Sequence, residues 1–224
     1  MAAERWATFD CYGTLIDWEE GIGDSLTSLW PDADRDAIVE RYHEIEPRVQ
    51  QQGALPYREV MRQAVVLLAE DEGLPLAEAH EYRMAEQLPS WRAFPEVPGA
   101  LAELRGRGFS LAILSNTDPD LLDASLERID VPVDARITAA DAGSYKPAPG
   151  HWERFFAETG VDRERHVHVA AGLYHDIEPA SKLGLKAVWI NRLQETSDLP
   201  RAAELKDLSR LPDVLDEVVP VATV

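Results

Sequence analysis

The chain has 224 residues, a single cysteine, and 41 acidic residues against 22 basic ones, a formal charge of -19. That length suits one core domain with room for an insert, and the lone Cys11 excludes an intrachain disulfide and a cysteine-cluster metal site. The charge opposes a nucleic-acid partner or an anionic membrane surface, but not a small anionic substrate held in a locally positive pocket.

In chain order, the first short apolar run is a strand at 5–9. A different pattern follows between Trp18 and Pro98. Helical spacing predicts helices over 34–52, 56–71 and 76–88, with no strand between them. Connectors near 16–20 and 91–98 serve as hinges. Strands are then expected at 110–114, 135–138, 167–170 and 187–190, separated by helical patterns. The tail, 208–224, reads as one more amphipathic helix with a frayed end. Strand–helix–strand alternation favours a parallel sheet with right-handed crossovers. The expected fold is α/β: a Rossmann-like parallel sheet core, 1–17 and 98–224, carrying an inserted all-helical cap, 18–97. No signal segment or membrane-length apolar run is evident, so a cytoplasmic protein with no membrane partner is expected.

In an open parallel sheet, ligands bind beyond the carboxyl ends of the strands. Asp10 stands there after the first strand, with Gly13 permitting a sharp turn. A carboxylate so placed can be a nucleophile, a base or a metal ligand, or it can simply cap the next turn. Ser115 and Asn116 end the second strand, where a hydroxyl and an amide can hold an anion or cap the following helix. Lys146 follows the third strand, and Pro147 is expected to begin a helix. Asp176 follows the fourth. Cys11 should point to the opposite face from Asp10 and is read as a packed residue. His166 and His168 bracket a strand and are read as alternating sides. No histidine shows metal-ligand spacing.

These four segments, in this order and with a helical insert after the first, resemble the haloacid dehalogenase superfamily. The run Asp10-x-Tyr12-Gly13-Thr14-Leu15 carries the likeness, with Ser115-Asn116, Tyr145-Lys146-Pro147 and Trp189-Ile190-Asn191-Arg192. Phosphatases of the superfamily place a second Asp two residues after the nucleophile. Tyr12 stands there in this chain, as in the L-2-haloacid dehalogenase branch.

The resemblance implies a chemistry. Asp10 would displace halide from the α-carbon of a small 2-haloacid, forming an ester that water then hydrolyses to a 2-hydroxy acid. Thr14 would orient Asp10, Lys146 would keep it ionised, and Asp176 would activate water. Arg41, from the helical insert, would cradle the halide. Ser115 and Asn116 would hold the substrate carboxylate. Tyr12 and Trp18 would wall the substrate, Trp152 would stand where the family usually has Tyr, and His175 would add a polar contact. The resemblance extends to a homodimer.

The fourth segment departs from the pattern. Dehalogenases of this branch resemble Ser-Ser-Asn-x-Trp-Asp there, whereas this chain has Ala171-Gly172-Leu173-Tyr174-His175-Asp176. The phosphatase pattern Gly-Asp-Ser is also replaced, by Ala170-Ala171-Gly172. No cofactor is therefore expected, and only a weak Mg²⁺ site would remain under a phosphatase or phosphonate hydrolase alternative. A non-catalytic carboxylate-binding protein is the third alternative.

Overall fold

The computed structural model of the protein describes residues 4–51 and 55–221. Chain order runs β1 (Arg5–Phe9), α1 (Trp18–Leu29), α2 (Arg35–Gln50), α3 (Tyr57–Glu72), α4 (Arg83–Gln87), α5 (Val97–Gly106) and β2 (Phe109–Ser115). It continues with α6 (Pro119–Ile129), β3 (Ala135–Thr138), α7 (Ala139–Ala142), α8 (Gly150–Thr159) and β4 (His166–Ala170). The last elements are α9 (Glu178–Lys182), β5 (Ala187–Ile190), β6 (Ala203–Leu205) and α10 (Leu211–Val218). All strand pairings are parallel, in the order β3-β2-β1-β4-β5-β6. The order reverses between β1 and β4, which opens a crevice beyond their carboxyl ends.

The period-two rule divides the core. Ala7, Phe9, Leu111, Ile113, Val167, Val169, Val188 and Ile190 share one face with α5, α10 and the helices that follow β1. Trp6, Ala112, Leu114, Ala170, Ala187 and Trp189 face the other way, onto Trp152 and Phe155 of α8. The architecture is the expected α/β core with a helical cap inserted after β1. Among the described residues, no helix is long and apolar enough to cross a membrane.

Several local expectations need correction. The 76–88 stretch is not one helix: a single 3-10 turn, Glu78–His80, precedes the five-residue α4. The tail helix is shorter, ending at Val218, and the expected frayed end at 222–224 lies outside the described residues, as do the expected helical Gln52 and the start of the chain at 1–3. Pro147 does not begin a helix; it follows a cis peptide, and α8 starts at Gly150. The sequence pattern predicts neither α1 nor β6, a three-residue edge strand.

The core and the helical layer are joined by an exchange of caps. Pro56 precedes α3 and offers no side-chain cap. Asp118, before α6, caps α3 instead, accepting from Tyr57 N (2.8 Å) and Arg58 N (2.9 Å). Its charge also suits the positive end of the α3 dipole. Nearby, the Tyr145 hydroxyl donates to Leu55 O at 2.5 Å.

Gly21 illustrates how tightly the helices pack. A Cβ on this α1 residue would fall 2.4 Å from the Trp91 ring. Gly21→Ala should therefore destabilise the protein by about 1–3 kcal/mol, overpacking outweighing the gain in helix propensity. Gly99→Ala in α5, which meets nothing within 4 Å, should be neutral or stabilising by up to about 1 kcal/mol. Denaturant unfolding of the two variants checks both signs.

Candidate active site

The ends of β1, β2 and β4 and the loop after β3 meet around one ammonium group. Lys146 Nζ donates to Asp10 Oδ1 at 2.8 Å, Asp176 Oδ1 at 2.6 Å and Leu114 O at 2.9 Å. These three bonds use its full donor capacity. The Lys146 backbone is fixed as firmly: its N–H donates to Asn116 Oδ1 (2.7 Å) and its carbonyl accepts from Asn116 Nδ2 (3.1 Å).

Asp10 continues the β1 ladder, its N–H donating to Val169 O. Thr14 Oγ1 donates to Asp10 Oδ2 at 2.8 Å and accepts from Ala171 N at 2.9 Å. The chain between them turns through Gly13, at φ +84°, with Trp18 packed over it. Such a backbone strongly favours glycine. Behind the site, Asp176 Oδ1 also meets His168 Nε2 at 3.1 Å. Thr8 Oγ1 links His168 Nδ1 and His166 Nε2, both at 2.8 Å.

Burial ranks the two carboxylates. Asp10 keeps 9% of its surface exposed, whereas Asp176 keeps 1%, so Asp10 is the more accessible of the two. Burial pushes the Asp10 carboxyl above its ordinary value; Lys146 opposes this and the nearby Asp176 charge reinforces it. Burial also works against the Asp176 carboxylate, but Lys146 and His168 outweigh it and hold the group well below the usual range. Lys146 itself is raised, the attraction of both carboxylates exceeding the cost of its burial. The result is a charged pair at Lys146 and Asp176 beside a higher-energy carboxylate at Asp10. Such a carboxylate can attack an electrophilic carbon.

Other expected site residues lie differently. Arg41 does not join this cluster. Its guanidinium, at the α2–α3 surface, pairs with Glu44, with Asp71 at 2.6 Å and with Glu72 at 3.3 Å. A cation neutralised three ways is not a halide cradle. Trp152 is a core residue, 1% exposed, set edge-on to His168 with ring centres 5.3 Å apart. Both ends of the Asn116 amide bond the Lys146 backbone, so it positions the lysine, with the second N–H of Nδ2 left for another acceptor. Ser115 is buried beside them, its hydroxyl oxygen accepting weakly from Thr117 N at 3.4 Å.

Tyr12 is half-buried, its hydroxyl 2.8 Å from Ser125 Oγ and its ring edge-on to Trp91. His175 packs edge-on to Tyr174, and burial lowers its pKa. Cys11 is buried in the core, where burial pushes the thiol well up. His166 and His168 do not alternate sides: two apart on β4, they face the same way, as the strand period requires. That period was the available signal for His168, and Thr8 is its register partner on β1.

The donor set suits an ammonium and does not fit Mg²⁺. Lys146 Nζ already bridges Asp10 Oδ1 and Asp176 Oδ1, and Ala170, Ala171 and Gly172 add no side-chain oxygen toward the set a divalent ion needs. Among the described residues, no group of three or more His, Cys, Asp and Glu is placed to hold a metal.

Comparison with known proteins agrees with this architecture. The haloacetate dehalogenase H-2 of Moraxella sp. (strain B) is 28% identical over 94% of each chain. A phosphoserine phosphatase of Thermus thermophilus is 30% identical, covering 84% of this chain and 73% of the phosphatase. The L-2-haloacid dehalogenase structure from Xanthobacter autotrophicus superposes with a TM-score of 0.84 at 21% identity, over 96% of this chain and 99% of the other. A sequence profile of haloacid dehalogenase-like hydrolases matches residues 5–184, and the chain belongs to that family.

Proposed function

We propose that the protein hydrolyses small 2-haloacids to 2-hydroxy acids through an ester on Asp10, without a metal ion. The observation that carries this function is the position of Lys146 Nζ, between Asp10 Oδ1 and Asp176 Oδ1, in a chain with Tyr12 two residues beyond Asp10. The lysine supplies a fixed positive charge between the two carboxylates. Tyr12 removes the carboxylic acid that would protonate the leaving oxygen of a phosphate ester.

Asp10 attacks the α-carbon from the side opposite the halogen. The C–O bond forms as the carbon–halogen bond breaks, and halide leaves with the bonding pair. Thr14 holds the second oxygen of Asp10 and so limits the rotation of the carboxylate. Water then adds to the ester carbonyl with Asp176 accepting a proton. The tetrahedral intermediate collapses, the 2-hydroxy acid leaves and Asp10 is regenerated. Lys146 remains charged throughout and balances the developing negative charge.

The 30% identity to a phosphoserine phosphatase favours a second function, phosphate-ester hydrolysis. Phosphoserine cleavage stimulated by Mg²⁺, with no halide released from any 2-haloacid, would replace the dehalogenase proposal with this one.

Under the dehalogenase mechanism, Asp10→Asn abolishes turnover of (S)-2-chloropropionate. A single turnover in labelled water places the label in Asp10 before it reaches product, as mass spectrometry of the active-site peptide would record. Asp10 must also be ionised to attack, and its folded-state pKa lies above 3.8. Alkylation is therefore full at higher pH and fades as pH falls through that raised value. The acid limb of the single-turnover rate should lie above pH 3.8; a limb at or below it would contradict the geometry. Finally, Arg41→Ala should change halide release by no more than about twofold, as for a surface substitution, whereas Lys146→Met should eliminate it. Initial rates by halide assay distinguish the two.

A further inference from the structure

Ala171 and Leu173 leave the fourth segment without the hydroxyl and amide groups that the family pattern places there. Asp176 nonetheless has a second donor besides Lys146, and it comes from inside the sheet. His168 Nε2 lies 3.1 Å from Asp176 Oδ1, the same oxygen that receives Lys146 Nζ. Two donors thus converge on Oδ1. Among the described residues, no donor bonds Oδ2, which faces Gly172; a Cβ at that position would stand 2.8 Å from it.

The direction of each bond follows from donor capacity. Asp176 is ionised and can only accept, so His168 Nε2 carries the proton between them. In a neutral His168, Nδ1 must then accept from the Thr8 hydroxyl, and Thr8 Oγ1 can accept from His166 Nε2–H. The edge of Trp152 closes the remaining side of the ring. His151, on α8, is a further titratable group on this side besides His166; burial holds it at about 4, and its Nε2 lies 3.0 Å from Ser115 O. His168 has no exposed surface and does not touch Asp10. It acts on the site only through Asp176.

Building on the hydrolytic function proposed above, we propose that His168 is a positioning residue for the second half-reaction. Its Nε2–H and Lys146 fix Asp176 Oδ1, leaving Oδ2 as the base for the attacking water. The proton balance is closed. A water O–H proton passes to Asp176 Oδ2 as the oxygen bonds to the ester carbonyl carbon. On collapse, the bond to the 2-hydroxy acid oxygen breaks and that oxygen takes the proton back from Asp176. The regenerated Asp10 carboxyl loses its own proton to solvent.

The first step, alkylation of Asp10, requires no base at Asp176. Substitution of His168 should therefore separate the two half-reactions. In His168→Leu, rapid mixing with (S)-2-chloropropionate should still give one equivalent of halide per enzyme, while the Asp10 ester accumulates and its hydrolysis slows by about 10- to 100-fold. His168→Gln, which keeps an N–H donor, should recover most of the hydrolysis rate. If folded His168→Leu hydrolyses the ester at the wild-type rate, or if alkylation and hydrolysis fall together, the proposal is overturned. Because a fully buried histidine is replaced, ¹⁵N-histidine NMR of the unmodified protein gives an independent test: His168 must carry its proton on Nε2. A neutral His168 protonated only on Nδ1 would overturn the assignment even with activity intact. Conversely, wild-type protein with the expected tautomer but no halide burst would refute the dehalogenase function and leave the placement of His168 standing.

Discussion

An ammonium group is held 2.6–2.9 Å from two carboxylates and a carbonyl, and the rest of the site is organised around it. Burying three charges is expensive unless each is paired and hydrogen-bonded. The fold meets that condition from all sides. Asn116 grips the lysine backbone on both its N–H and its carbonyl, Leu114 takes the third ammonium proton, and His168 gives Asp176 a second donor. With one lysine between two carboxylates, the competition has a winner. Asp176, held by Lys146 and His168 together, stays low; Asp10, raised by its own burial and by the neighbouring Asp176 charge, stays high. Two chemically identical groups are thereby separated in reactivity by their surroundings alone.

The cluster itself carries no net positive charge, because Lys146 stands between two carboxylates. With 41 acidic residues against 22 basic ones, long-range attraction is not available to draw a carboxylate in. Most surface arginines are already spent on carboxylates, Arg41 among three of them and Arg107 among Glu103, Asp213 and Asp216. Lys146 is instead enclosed, where low dielectric strengthens its hold on the two carboxylates it bridges.

Much of this was legible in the sequence. Three of the five expected strands match the structure at both ends, because short apolar runs before polar turns have few other uses. Asp10, Lys146 and Asp176 converge because each directly or closely follows a parallel strand, and parallel strands deliver their ends to one edge. The misreadings have physical causes. α1 carries Gly21 and Gly23 in its interior, which weakens its helical signal; the Trp91 ring and the Arg35 guanidinium occupy the space where their side chains would be. Arg41 stands at the right chain distance, but α2 buries Ile38, Tyr42, Ile45 and Val49, and that phase directs Arg41 toward the acidic end of α3. His168 has no metal-ligand spacing in the sequence, and its hydrogen bond to Asp176 becomes visible only when the loop after β4 is placed. Edge strand β6 is too short for any alternation to show.

Asp118 belongs to the sheet layer yet completes the first turn of α3 in the cap. A chimera exchanging caps between relatives at their sequence junctions would separate that carboxylate from the two amides it serves, and Tyr145 from the Leu55 carbonyl. The recombination unit is thus larger than the inserted segment. To remain whole, a transplanted cap must bring compatible residues at position 118, 61 positions downstream of Tyr57, and at position 145, 90 positions downstream of Leu55. In this fold, modularity is a property of spatial neighbours and not of contiguous chain.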